Sequence, residues 1–265
     1  MSPVALALVL SAAIFHAGWN LALTAADDRL APMATGSIIV GAALLPAAFL
    51  QPPTSVLGLV LLSAAAETAY GLALATAYSR GELSLVYPLG RGTSPFLVTL
   101  GGWLLLSERP GPLAATGAVL LGIGLGIVAL AGHRSGRLDA VGFAFATGVC
   151  ISTYSLIDAR AVREVSPAGY IAPVLLLQGL ALAAVIRFEP RRLRRSIPAG
   201  LRIGLGGFLA YLLVLLAFQR AEAGRVSTLR EVSVLIGIAL SGDRPGWALW
   251  SGALFAVCGM VLVAT

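Results

Sequence analysis

The sequence predicts an all-α membrane protein of ten transmembrane helices, built as two inverted five-helix repeats. Three observations carry that prediction. The 265 residues are 58% hydrophobic and 11% charged, with a mean hydropathy of +0.92, whereas soluble chains hold about 25% charged residues. The apolar residues fall in stretches of about 20, the length needed to span a bilayer. The polar turns between them recur in the same order in both halves.

In chain order the expected spans are roughly 3–24, 32–50, 56–79, 84–106, 112–131, 138–158, 168–187, 199–219, 226–241 and 246–264. The first carries His16, Trp19 and Asn20 and lacks a basic leader, so it reads as a span and not a signal peptide. The third holds Glu67. The fourth contains Val86-Tyr87-Pro88-Leu89-Gly90-Arg91-Gly92-Thr93-Ser94-Pro95-Phe96, where two prolines and two glycines predict irregular backbone beside a cavity. The series Gly122, Gly124 and Gly126 in the fifth contains a GxxxG spacing, and Gly252 with Ala256 in the tenth is a small-xxx-small counterpart. Close packing of those two spans is the expectation. The ninth is about 16 residues, near the lower limit for spanning. Connections such as Gln51-Pro52-Pro53-Thr54-Ser55 leave no room for a soluble domain.

The repeat is read from echoes. Ala77-Tyr78-Ser79-Arg80-Gly81-Glu82 returns as Ala217-Phe218-Gln219-Arg220-Ala221-Glu222, and Ser107-Glu108-Arg109-Pro110-Gly111 as Gly242-Asp243-Arg244-Pro245-Gly246. Trp19-Asn20 find Tyr154-Ser155. Units of 1–133 and 134–265 follow, with five spans each. Five is odd, so the second unit enters the membrane from the opposite side, and a binding site is expected near the midplane where the units meet.

All basic side chains besides histidine are arginines, and the net charge is +6. The cluster Arg191, Arg192, Arg194 and Arg195 lies between spans and reads as a topology signal facing anionic lipid headgroups, not as a nucleic-acid surface. Eleven arginines fall on one side and five on the other, which by the positive-inside rule puts both termini outside. Cys150 and Cys258 lie within spans and read as inert thiols.

The runs RGELSLVYPLGRGTSP followed by LLLSERPG, and RVSTLREVSV followed by SGDRPG, resemble the repeat of EamA-type transporters of the drug/metabolite transporter superfamily. The early His16-Ala17-Gly18-Trp19-Asn20 is similar to that family too. The resemblance covers the whole chain. It implies a multi-pass protein of the bacterial inner membrane, often an exporter of amino acids or other metabolites. It also implies a central cavity lined by the first, third and fourth helices of each repeat. Cytoplasmic termini are implied as well, against the arginine count. One departure is visible: Glu108 stands 17 residues beyond Arg91, but Asp243 only 13 beyond Arg230.

Ionisable groups within spans are costly, about 2.5–3.5 kcal/mol each on insertion scales, and so mark partners or wet cavities. Glu67, Arg91, Arg230 and Glu231 stand out. Glu67 lies about 20 Å beyond the turn near Gly81 and Arg91 about 10 Å, at 1.5 Å per residue. A tight pair between them is therefore not expected. Glu67 is the first choice for a proton-carrying carboxyl, Glu231 the second, with His16 beside them. Arg91 and Arg230 suit a carboxylate or phosphate. Trp19, Asn20, Tyr70, Tyr87, Tyr154 and Tyr211 complete the expected substrate site, apolar with a few polar anchors. Asp27, Asp28, Glu82, Glu108, Asp139, Asp158, Glu164 and Asp243 read as solvated turn or capping residues.

No metal-ligand cluster, cofactor motif or catalytic constellation is present in the sequence, so an enzyme is not expected. The expected function is secondary transport, in the direction of export, of a small polar, amino acid-like metabolite by a monomer or homodimer. A carrier of lipid-linked sugars and a lipid-processing enzyme are the other readings.

Overall fold

The structure, a computed structural model, describes residues 1–109, 111–134, 138–241 and 246–264. The helices are α1 (Pro3–Thr24), α2 (Leu30–Ala43), α3 (Leu45–Leu50), α4 (Leu57–Arg80), α5 (Leu83–Leu105) and α6 (Pro112–Arg134), then α7 (Leu138–Ala161), α8 (Pro167–Val185), α9 (Pro190–Phe218), α10 (Ala223–Arg230), α11 (Val232–Ser241) and α12 (Trp247–Ala264). A single 3-10 turn, Thr54–Val56, leads into α4. Pro110 and the turn Gly242-Asp243-Arg244-Pro245 lie outside the described residues, as does Arg137 of the arginine count.

Five of these elements are long and apolar enough to cross a membrane by length and composition, namely Pro3–Thr24, Thr54–Arg80, Leu138–Ala161, Pro167–Val185 and Pro190–Phe218. The outer faces of these and the other helices carry the large apolar residues that water would reject. Ile14, Phe49, Leu61, Trp103, Trp247 and Leu254 are exposed on the molecule's surface, where lipid can cover them. This is a multi-pass membrane protein.

Local chemistry sets the ends. Ser2 accepts the Ala5 N–H at 3.2 Å and Pro3 occupies the first turn of α1, where a missing N–H costs nothing. Asp28 Oδ1 caps α2 by accepting from the N–H groups of Leu30 (3.1 Å) and Ala31 (3.2 Å). The second expected span is divided at Leu44, two residues before Pro46, whose absent N–H and bulky ring interrupt the ladder. The arginine cluster is no loop. It forms the first turns of α9, whose 29 residues reach about 44 Å against a hydrocarbon core of about 30 Å. Thr35 on α2 and Ser196 on α9 meet there through hydroxyls 2.6 Å apart. Arg192 grips Asp28 through Nε at 2.5 Å and Nη2 at 3.1 Å. Those hydrogen bonds hold the Asp28 carboxyl below its ordinary range.

Two elements correct the sequence expectation. The stretch Val86–Phe96 is continuous helix within α5, with Pro88 and Pro95 inside it. Its counterpart, which has neither proline nor glycine, is the one that breaks, between Arg230 and Val232. That ninth segment also starts at Ala223, three residues earlier than expected, so it is not as short as the sequence suggested.

Packing relates the halves. α2 lies against α8, α6 against α12, and α5 against α10 and α11; the α1–α9 contact is matched by α4–α7, α2–α9 by α4–α8, and α5–α7 by α1–α11. Glycines permit the closest approaches. A Cβ on Gly124 would stand 2.5 Å from the Gly252 carbonyl, and one on Gly117 the same from Gly259. The α6–α12 contact is as expected, and of the expected series Gly124 makes it, against Gly252 and Ala256, together with Gly117. Gly122 and Gly126, the GxxxG pair, have nothing within 4 Å of where a Cβ would be.

Candidate functional site

A cavity of about 80 Å³ lies among α1, α2, α4, α7, α8, α9 and α10. Its wall includes His16, Trp19, Glu67, Tyr70, Tyr154, Tyr211 and Arg230, seven of the eleven residues singled out in the sequence. Asn20, Tyr87, Arg91 and Glu231 stand behind that wall. The sequence missed Met33, Ser37, Leu175, Gln178 and the α9 stripe Ile203, Gly204, Gly207, Phe208 and Val214. Gln178 was findable, since a lone amide in an apolar helix raises the same question as Glu67; the apolar wall residues carry no such signal. The resemblance had pointed to the fourth helix of each repeat, but among the described residues α5 contributes nothing to the lining, whereas α2 and α8 do.

One side of the wall is aromatic. Tyr70 and Tyr154 meet edge to face with centroids 5.7 Å apart, and Tyr154 meets Tyr211 in the same way at 6.4 Å. Such T-shaped contacts set the electron-poor ring edge against a π-face and fix the rings relative to one another. Trp19 is held by its neighbour one turn back, its indole N–H donating to His16 Nδ1 at 3.2 Å. That bond leaves His16 Nε2 buried without a partner.

Glu67 sits in a polar chain. Gln178 Nε2 donates to Glu67 Oε2 at 3.2 Å and to the Glu67 carbonyl at 3.2 Å, while Ser37 donates to Gln178 Oε1 at 3.1 Å. No Glu67–Arg91 ion pair forms, as the depth argument expected. Arg91 turns instead across the halves, where its Nε meets Glu231 Oε2 at 3.0 Å, with both side chains almost wholly buried. Arg230 lies 3.5 Å from the other Glu231 oxygen and donates weakly to Ser227 at 3.4 Å. Glu231 is therefore the shared counter-ion of two arginines.

The break in the ninth segment explains why these charges can be there. Arg230 is the last residue of α10 and Glu231 immediately precedes α11. A cation at a helix C-terminus and an anion at an N-terminus are both favoured by the helix dipoles. The backbone groups freed by the break are kept satisfied by tight i→i−3 bonds, Glu231 N–H to Thr228 O at 3.1 Å and Val234 N–H to Glu231 O at 2.9 Å. The cluster holds two positive charges and one negative. Arg91 Nη1 and Nη2 and Arg230 Nε are buried with no hydrogen-bond acceptor.

The other residues serve as scaffold. Asn20 donates to the His16 carbonyl at 2.9 Å and accepts from Tyr78 at 3.0 Å. Tyr87 places its ring 5.9 Å from the Arg91 guanidinium and fills a notch at Gly237, where a Cβ would be 2.7 Å from the ring. Asp158 is not a solvated cap as expected. It is fully buried, and it accepts from Ser63 (2.6 Å) and Tyr170 (2.7 Å) on Oδ1 and from Tyr211 (2.8 Å) on Oδ2. Glu108 is largely buried too, accepting from Arg163 at 2.5 Å and from the N–H of Ala223, the first residue of α10, at 2.9 Å.

Residues 139–265 match the EamA-like transporter family. No curated protein matches the chain. Sixteen chains of solved structure do. One, described only as "Crystal structure of protein", has a TM-score of 0.70 at 21% identity, covering 98% of this chain and 96% of its own. At that identity the likeness speaks for the fold alone. Over its second half, then, this chain is similar to the EamA-like transporters, a family of the drug/metabolite transporter superfamily.

Proposed function

We propose that the protein is a secondary carrier that exports a small polar, amino acid-like metabolite across a bacterial inner membrane. Access would alternate by rocking of two inverted five-helix halves about the cavity. One observation carries this reading: a cavity between the helices brings together a buried arginine, a carboxyl and a row of aromatic rings. Arg230 supplies a planar fork for a carboxylate, Glu67 a group for an ammonium or a proton, and Tyr70, Tyr154 and Trp19 the apolar body of the site. A cavity of this size favours a small solute over a lipid-linked sugar. The exchange of contacts between halves supports a repeat, since the most extensive contacts between unlike helices have counterparts.

The test is counterflow of labelled amino acids and related metabolites into proteoliposomes. The unaltered chain should accumulate label, whereas Arg230→Ala and Glu67→Gln should insert normally and lose flux. Normal flux in both variants would remove the cavity from the transport path.

A further inference from the structure

Asp158 is the buried acid that the proposed site does not use. It lies near the end of α7, and its carboxyl joins α4, α8 and α9 through Ser63, Tyr170 and Tyr211. Among the described residues those three hydroxyls are its partners, and no cation stands within ion-pair distance. The charged and titratable groups around it are few. Glu67 lies one turn along α4, Tyr154 on α7 itself, and Arg230 on α10. Arg91 on α5 is turned to Glu231. In α6 the titratable residues are His133 and Arg134, at the end that leads toward the start of α7.

The donor count matters. An ionised carboxylate only accepts, so it can take three O–H donors at once, two on Oδ1 and one on Oδ2. A protonated carboxyl has an O–H of its own, so one of the three hydroxyls must reverse. Oδ2, with a single donor, is the oxygen with room for the proton. Its partner Tyr211 is also the hydroxyl residue that belongs to the cavity wall.

We infer that Asp158 is a proton-accepting site of the carrier and that Tyr211 relays its state to the cavity. In the step, Tyr211 gives its phenolic proton to Asp158 Oδ2 and takes one from a hydronium ion in the cavity. The net change is hydronium plus carboxylate to water plus carboxylic acid. The neutral acid then donates to the Tyr211 oxygen, and the Tyr211 hydrogen points away from Asp158. Protonation thereby frees the Tyr211 hydroxyl from Asp158 and adds it to the donors of the cavity wall. Coupling of this step to transport rests on the carrier reading; the protonation itself does not.

Infrared difference spectra of the purified full chain in lipid, taken as a function of pH without substrate, test it. A protonated-carboxyl band should rise on acidification together with a tyrosine ring band. Asp158→Asn should remove both, Tyr211→Phe should remove the ring band, and Glu67→Gln should remove neither. In Tyr211→Phe the carboxyl midpoint should move up by about one to two pH units, the size of one hydrogen bond to a charged group. Carboxyl bands untouched by Asp158→Asn, or an unmoved midpoint in Tyr211→Phe, would overturn the inference. If Asp158→Asn does not fold, the Tyr211→Phe shift decides alone. Because no substrate is present, failure here leaves the counterflow result standing, and failure of counterflow leaves this one standing.

Discussion

The Arg91–Glu231–Arg230 cluster makes an asymmetric prediction. Removing Glu231 by Glu231→Gln leaves two buried guanidinium groups with no anion, whereas removing Arg91 by Arg91→Met leaves Glu231 against Arg230 at 3.5 Å, a neutral remnant. Breaking a buried pair by deleting one partner costs about 3–5 kcal/mol, most of it the desolvated charge left behind. For a chain of this size each kcal/mol lowers Tm by roughly 2–4 °C. Glu231→Gln should therefore melt roughly 6–20 °C below the unaltered protein, and Arg91→Met by less than half of that. Thermal unfolding of the detergent-purified protein, followed by tryptophan fluorescence, gives both numbers. An Arg91→Met loss equal to or larger than that of Glu231→Gln would refute the account in which Glu231 neutralises both arginines.

Other outcomes follow from single contacts. Gly124→Val should weaken the α6–α12 interface by about 1–3 kcal/mol through overpacking, while Gly122→Val, which meets nothing within 4 Å at its Cβ, should be nearly neutral in the same melts. Glu108→Ala should cost about 0.5–2 kcal/mol, the value of a lost helix cap, because the Ala223 N–H loses its acceptor; Arg163→Ala, at a half-exposed position, should cost less. Asp28 carries an acid-sensitive term. Its carboxyl is held below 3.8 in the folded chain, so the stabilisation is complete above that pH and fades as acid protonates it below. Asp28→Asn should flatten the low-pH limb of a stability profile by no more than about 1 kcal/mol, since the Arg192 pair is partly exposed.

Much of the architecture is legible because bilayer burial writes itself into composition. The helix-forming stretches and most of their ends are marked by apolar length and by Asp, Pro and Ser at the turns. Residues that report an energetic conflict, such as Glu67 and Arg230, could be found one by one. What the sequence hides is the partner. The sequence around Glu231 gives no sign that α5 brings Arg91 to it from 140 positions away. Asp158 looks like a helix-end cap because its position along α7 says nothing about Ser63, Tyr170 and Tyr211 converging from three other helices. The glycine series could be read only in part for a related reason, since it held Gly124 but also Gly122 and Gly126, and lacked Gly117. Spacing identifies a face, but only the crossing decides which face meets α12, and that face carries Gly117 and Gly124.

A break without a proline can heal. A proline removes an N–H from the helix ladder for good, as Pro88 and Pro95 do within the continuous α5. At Glu231 every peptide group needed for a continuous ladder is present, and φ −73° with ψ −4° is removed from helix by about 40° in ψ alone. A single torsion thus separates two lengths of the same segment, one interrupted and one continuous. Moving between them would turn α11 relative to α10 and carry Glu231 around the axis with it. The two halves thus differ at this segment: α5 runs unbroken through two prolines, and its counterpart is divided at a residue that could equally join a continuous helix.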